Sequence, residues 1–102
     1  TCLSPSPSAR VAVLHELAHA WMLDHIDDVA VEGVLAVSGR TRWDDSQDTW
    51  SDRGVEYAAE ALAWGLIDEA LPMVRIGAPP CSELAAAYTL LTGVPPAADR
   101  CS

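Results

Sequence analysis

His15-Glu16-Leu17-Ala18-His19 is the stretch whose residue types and spacing could do chemistry. On a helix, residues four apart lie about 40° apart in azimuth and roughly 6 Å apart along the axis. Both imidazoles then project from one face, one turn apart, as two ligands of a single Zn²⁺ do. Glu16 lies about 100° round the helix from His15. That offset suits a base that takes a proton from a metal-bound water better than it suits a third ligand. The plainer alternative is two histidines on a buried face, satisfied by backbone or water. A pair at ligand spacing with a glutamate between them favours the metal.

A catalytic zinc site has three protein ligands and one open position. The third ligand has two candidates, Glu56 on a second helix and His25 six residues after His19. Glu56 and Glu60 are four apart, among Tyr57, Ala58, Ala59, Ala61 and Leu62. Such a helix reads as largely buried, and buried carboxylates need partners, a cation being the obvious one.

The elements that must position these groups follow in order. Residues 1–8 read as an irregular lead-in, with Ser6 or Ser8 as a cap and Pro7 suited to a first turn. A first helix is expected over 9–25, with Val11, Leu14, Ala18, Trp21 and Met22 on its apolar face. Asp27 or Asp28 caps a second helix over 28–38, with Val31, Val34, Leu35 and Val37 facing the core, ended by Gly39. Residues 40–50 form a polar loop whose Trp43 and Trp50 either lid the core or wall a cleft beside the metal. Ser51 is the expected cap of a third helix over 52–70, stopped at Leu71-Pro72. A connector over 73–80 contains the one strand candidate, Val74-Arg75-Ile76. A fourth helix over 82–92 opens at Ser82-Glu83 and closes at Gly93. The expected fold class is therefore mainly α. It is a small helical metallopeptidase-like domain of about four helices, with the His15/His19 helix packed on the Glu56/Glu60 helix through Ala18, Ala58, Ala59 and Ala63.

The 102 residues suit one small domain. A start at Thr1 suggests a piece of a longer chain. Six basic against fifteen acidic residues, a net charge of −9, argue against a nucleic-acid partner and an anionic membrane face. No apolar run reaches a membrane span. Three cysteines and no C-x-x-C exclude a zinc ribbon. Cys2 and Cys81, each just ahead of a predicted helix, are the expected disulfide pair, with Cys101 in the tail.

Ser51-Asp-Arg-Gly-Val-Glu-Tyr-Ala-Ala-Glu60, downstream of H-E-x-x-H, resembles the gluzincin pattern, in which a second helix supplies a Glu ligand followed four residues later by an acid. The likeness is nearest to the HtpX-like and CAAX-prenyl-protease type, with its S-R-x-x-E-x-x-A-D. Here Ala59-Glu60 stands where that type has Ala-Asp. It covers the two helices, about a third of the chain, and small uncharacterised bacterial gluzincin-like proteins share the same look. The resemblance implies Zn²⁺ held by His15, His19 and Glu56, with Glu60 orienting a ligand imidazole, that of His15. It implies hydrolysis of a peptide bond in a peptide or protein substrate by a zinc-activated water, with Glu16 as general base. Tyr57, Tyr88 and His25 are the available transition-state donors.

Other readings compete. His25 stands six after His19, as in the metzincin motif, and Met73 could be a Met-turn. Met22, however, occupies the glycine position, where a left-handed backbone is costly. A di-iron bundle would use Glu16-x-x-His19 but needs a second Glu-x-x-His, which the chain lacks. A non-catalytic sensor or scaffold would use the same zinc as a staple, with a fourth ligand from His25, Glu60 or a cysteine.

Overall fold

The structure is a computed structural model and describes residues 7–66 and 73–96. It is mainly α, without strands among the described residues. Four α-helices form among the described residues: α1 (Pro7–His25), α2 (Asp28–Ser38), α3 (Gly54–Leu66) and α4 (Cys81–Thr92). Single 3-10 turns at Trp50–Asp52 and Val74–Ile76 lead into α3 and α4.

The centre is α3, which packs against α1, α2 and α4. Its composition explains this. Ala58, Ala59, Ala61 and Ala63 are completely buried. Their small side chains let neighbouring helices approach closely, and alanine has the best helix propensity. The most extensive pairing is α1 on α3, as expected, with Ala18 facing in from α1. Glu56, Ala59, Glu60 and Ala63 recur at helical spacing, so the two carboxylates share a stripe with the alanines.

The helix ends separate local from tertiary control. At α2 the local rules hold: Asp27 accepts from Ala30 N–H at 2.9 Å, and Gly39 closes the helix at φ 72°. At α1, Pro7 is the first helical residue and Ser8 lies inside the helix, so Ser8 is no cap. The third helix departs most. Ser51 sits in the 3-10 turn, and α3 starts at Gly54. Its first two N–H groups, of Gly54 and Val55, are taken by the carbonyls of Arg42 and Trp43 at 2.9 and 2.8 Å. The 40–49 loop therefore caps α3 through its backbone, and no side-chain cap is needed. The far end expected for this helix, 67–70, and the stop at Leu71-Pro72 lie outside the described residues.

Val74-Arg75-Ile76 is a turn and not a strand. Gly77 N–H reaches Val74 O, Ala78 N–H reaches Met73 O at 2.9 Å, and both Gly77 and Ala78 have positive φ. The chain folds back within four residues, too tightly for an extended run. The last helix begins at Cys81, one residue before Ser82, with the Pro80 carbonyl accepting from Glu83 and Leu84. Cys81 is disulfide-bonded. Cys2 and Cys101 lie outside the described residues, so the expected Cys2–Cys81 pairing does too. No helix among the described residues is long and apolar enough to cross a membrane.

Gly65 sets the spacing of α3 and α4. A Cβ there would run into Cδ2 and Cε2 of Tyr88 and lie 2.9 Å from its Cγ. Overpacking of this kind costs about 1–3 kcal/mol, against a gain of roughly 1 kcal/mol in helix propensity on replacing glycine. Tyr88 is buried and has little room to yield. Gly65→Ala is therefore expected to lower the urea midpoint, by a net loss of up to about 2 kcal/mol. A raised midpoint would contradict this packing.

Candidate metal centre

Three side chains from α1 and α3 converge. His15 Nε2 lies 2.9 Å from Glu56 Oε1, His19 Nε2 lies 2.6 Å from the same oxygen, and the two Nε2 atoms are 3.1 Å apart. They form the one group of three or more His, Cys, Asp or Glu side chains among the described residues whose ligand atoms gather closely enough to hold a metal ion. The helical spacing brings both imidazoles to one face, and the α1–α3 packing brings Glu56 to them. His25 is not part of this group. Its Nδ1 donates to Trp21 O at 2.8 Å, and its ring stacks on Trp21. The helix runs straight through Met22, which is buried in the core, so no chain reversal returns His25 to His19.

Glu60 fixes the tautomer of His15. Its Oε1 is 2.7 Å from His15 Nδ1, and a carboxylate only accepts, so Nδ1 carries the proton and Nε2 offers a lone pair. That lone pair faces a carboxylate oxygen and a second imidazole. With a proton on His19 Nε2 the three groups share hydrogen bonds; with that proton lost they offer three electron pairs to a metal ion. Donor atoms around a tetrahedral Zn²⁺ with bonds near 2.0–2.2 Å stand roughly 3.4 Å apart. The observed 2.6–3.1 Å is about 0.3–0.8 Å tighter, so the residues fit the ion after an outward movement of less than an ångström. Two imidazoles and one carboxylate are also one of the ligand sets of catalytic zinc sites.

Burial of His15 opposes its protonation. The hydrogen bonds and charges of Glu60 and Glu56 outweigh burial and raise its pKa above the ordinary 6.5. Two consequences follow for the metal-free protein. A raised folded-state pKa contributes stability that is fully present below about 6.5 and is lost as the pH rises through the raised value. Protons also compete with metal for this nitrogen. Zinc affinity is expected to fall as the pH is lowered through the raised value, and the melting temperature of chelator-treated protein to fall as the pH is raised. Titration calorimetry and melting curves at several pH values check both. A pH-independent affinity would remove His15 from the ligand set.

The surroundings close one side and open another. Trp50 stacks on His15 with centroids 5.5 Å apart and planes inclined by 24°. Trp43 and Val55 pack against the core and, with Met22 and Ile26, line an open groove that ends at His19 and Glu56. Trp43 thus covers core and walls the groove, whereas Trp50 covers core and stacks on His15 without lining the groove. Glu16 is exposed on α1, and its carboxylate has no hydrogen-bond partner among the described residues. Two of the donors considered from sequence are engaged elsewhere. Tyr57 OH donates to Glu83 at 2.7 Å, and burial, then this bond, push its pKa well above the ordinary 10.0. Tyr88 packs at Gly65, and His25 is held by Trp21. Arg75 was missed by sequence reasoning. Its Nη2 lies 3.2 Å from Glu60 Oε1, and its guanidinium lies 4.4 Å from the Trp50 ring centroid. Nothing in local spacing links residue 75 to residue 60.

No protein-family model, curated protein or solved structure matches the chain.

Proposed function

We propose that this domain is a zinc-dependent peptidase of gluzincin type, with His15, His19 and Glu56 as metal ligands and Glu16 as general base. The observation that carries the reading is the convergence of His15 Nε2, His19 Nε2 and Glu56 Oε1 beside an open groove. Three protein ligands leave a tetrahedral ion one open position, as in catalytic sites, whereas structural sites are closed by four. When bound, zinc supplies Lewis acidity to the peptide carbonyl and lowers the pKa of a water. Glu16, whose carboxylate has no hydrogen-bond partner among the described residues, would take the proton of that water and pass it to the leaving amine. Glu60 keeps the His15 lone pair directed at the ion, and Trp50 holds the ring in plane. The apolar walls formed by Met22, Ile26, Trp43 and Val55 exclude water from one flank and suit an apolar substrate side chain.

A second reading, a zinc-stapled helical domain without catalysis, is favoured by one observation: Tyr57 and His25 are hydrogen-bonded to other groups and Tyr88 packs its ring at Gly65, so none of the three is directed at the metal centre by these contacts. Incubating the zinc-loaded domain with a broad peptide library, with and without chelator, separates the two. Chelator-sensitive cleavage supports the peptidase. Tight zinc binding with no cleavage supports the staple.

A further inference from the structure

The His15 ring is held in two directions. In its plane, Nδ1 is fixed by Glu60 at 2.7 Å; across its plane, Trp50 stacks upon it. Both holding groups meet a single third residue. Arg75 places Nη2 at 3.2 Å from the same Oε1 that accepts from His15, and its guanidinium lies over Trp50 at 4.4 Å. We propose that Arg75 is a positioning residue of the metal centre, fastening Glu60 and Trp50 so that the Nε2 lone pair of His15 stays aimed at the ion. The proposal rests on the metal-centre reading above.

The fold presents Arg75 rigidly enough for this. The residue sits in the tight turn closed by the Gly77 and Ala78 N–H groups. That turn is tied to the one bearing Trp50 through Arg40, whose Nη2 donates to Ser51 O at 3.1 Å and to Ile76 O at 2.9 Å. The two turns therefore move together, and Trp50 and Arg75 keep their spacing. Arginine suits the role because its planar group stacks on an aromatic face and still offers N–H donors to a carboxylate. Glu60 needs such a donor. It is 1% exposed, and a carboxylate buried that deeply is costly unless paired. An ordinary surface ion pair would contribute little; here one partner is buried against a ligand, although Arg75 itself is half exposed.

Three proteins test this: wild type, Arg75→Gln and Arg75→Lys. Zinc affinity is measured by chelator competition, the ligand field by the visible spectrum of the cobalt-loaded protein, and the His15 Nδ1 proton by NMR of the metal-free protein. Arg75→Gln is expected to weaken zinc about tenfold, the lower end of the 10–100-fold range for groups that orient a ligand. It should also alter the cobalt spectrum and lose the Nδ1 proton signal to solvent exchange, with a modest drop in the metal-free melting temperature as Glu60 loses one of its partners. Arg75→Lys keeps the charge but not the planar group, and should fall between. Unchanged or tighter zinc binding by Arg75→Gln with a wild-type cobalt spectrum overturns the proposal. If wild type takes up no metal, the metal-centre reading fails by itself, and the proton signal still decides whether Arg75 holds His15. A signal that persists unchanged in Arg75→Gln overturns the positioning role.

Discussion

Glu16→Gln should abolish peptide hydrolysis by the zinc-loaded domain and leave zinc in place. The substitution keeps the size of the side chain and removes its capacity to take a proton. General-base assistance typically contributes about 10²–10⁴-fold, so turnover should drop by at least two orders of magnitude. Zinc affinity and melting temperature should hardly move, because Glu16 is exposed and bonds to nothing among the described residues. Side-by-side measurement of peptide cleavage and zinc content checks it. Retained activity would remove Glu16 as the base. Loss of zinc would mean that Glu16 is itself a ligand.

His19→Ala carries the other large expected effect, on metal uptake. Zinc bound by four protein ligands is worth about 10–16 kcal/mol at neutral pH, roughly 3 kcal/mol per ligand. Each 1.4 kcal/mol is tenfold, so removing His19 should weaken zinc by about 100-fold or more. The fold without metal should tolerate the change, since His19 is partly exposed and Glu56 keeps His15 as a partner. Wild type in zinc at a thousandfold excess over its dissociation constant gains about 4.1 kcal/mol of stability. The variant should lose most of that gain and little else. Melting curves with zinc and with chelator read both numbers. A His19→Ala protein that keeps full zinc occupancy would sink the assignment.

What the sequence discloses here divides along the range of the interactions. The H-E-x-x-H spacing puts His15 and His19 on one face by helix geometry alone, and Glu56 and Glu60 share a face for the same reason. Asp27 caps α2 as a local rule predicts. The four-helix, all-α outline follows from such signals. Ser51 illustrates the opposite case. It looks like a cap, yet the loop carbonyls of Arg42 and Trp43 satisfy the start of α3, and that pairing depends on how the loop folds. The turn at 74–76 reads as a strand in short sequence because two β-branched residues flank Arg75; Gly77 and Ala78 close it instead. The place of Arg75, the stacking of Trp50 on His15 and the Glu83 partner of Tyr57 depend on distant segments meeting. The groups that hold the proposed ligands' neighbours in position are the long-range part of this site, and the candidate ligands are its local part.

The most direct measurement is X-ray absorption at the zinc edge on the purified, zinc-loaded domain. The account predicts one zinc per chain bound only by nitrogen and oxygen, with two imidazoles, one carboxylate and a further light atom at about 2.0–2.2 Å. In His19→Ala, any zinc that remains should show one imidazole fewer. Sulfur at about 2.3 Å, four protein ligands, or no zinc at all would contradict it.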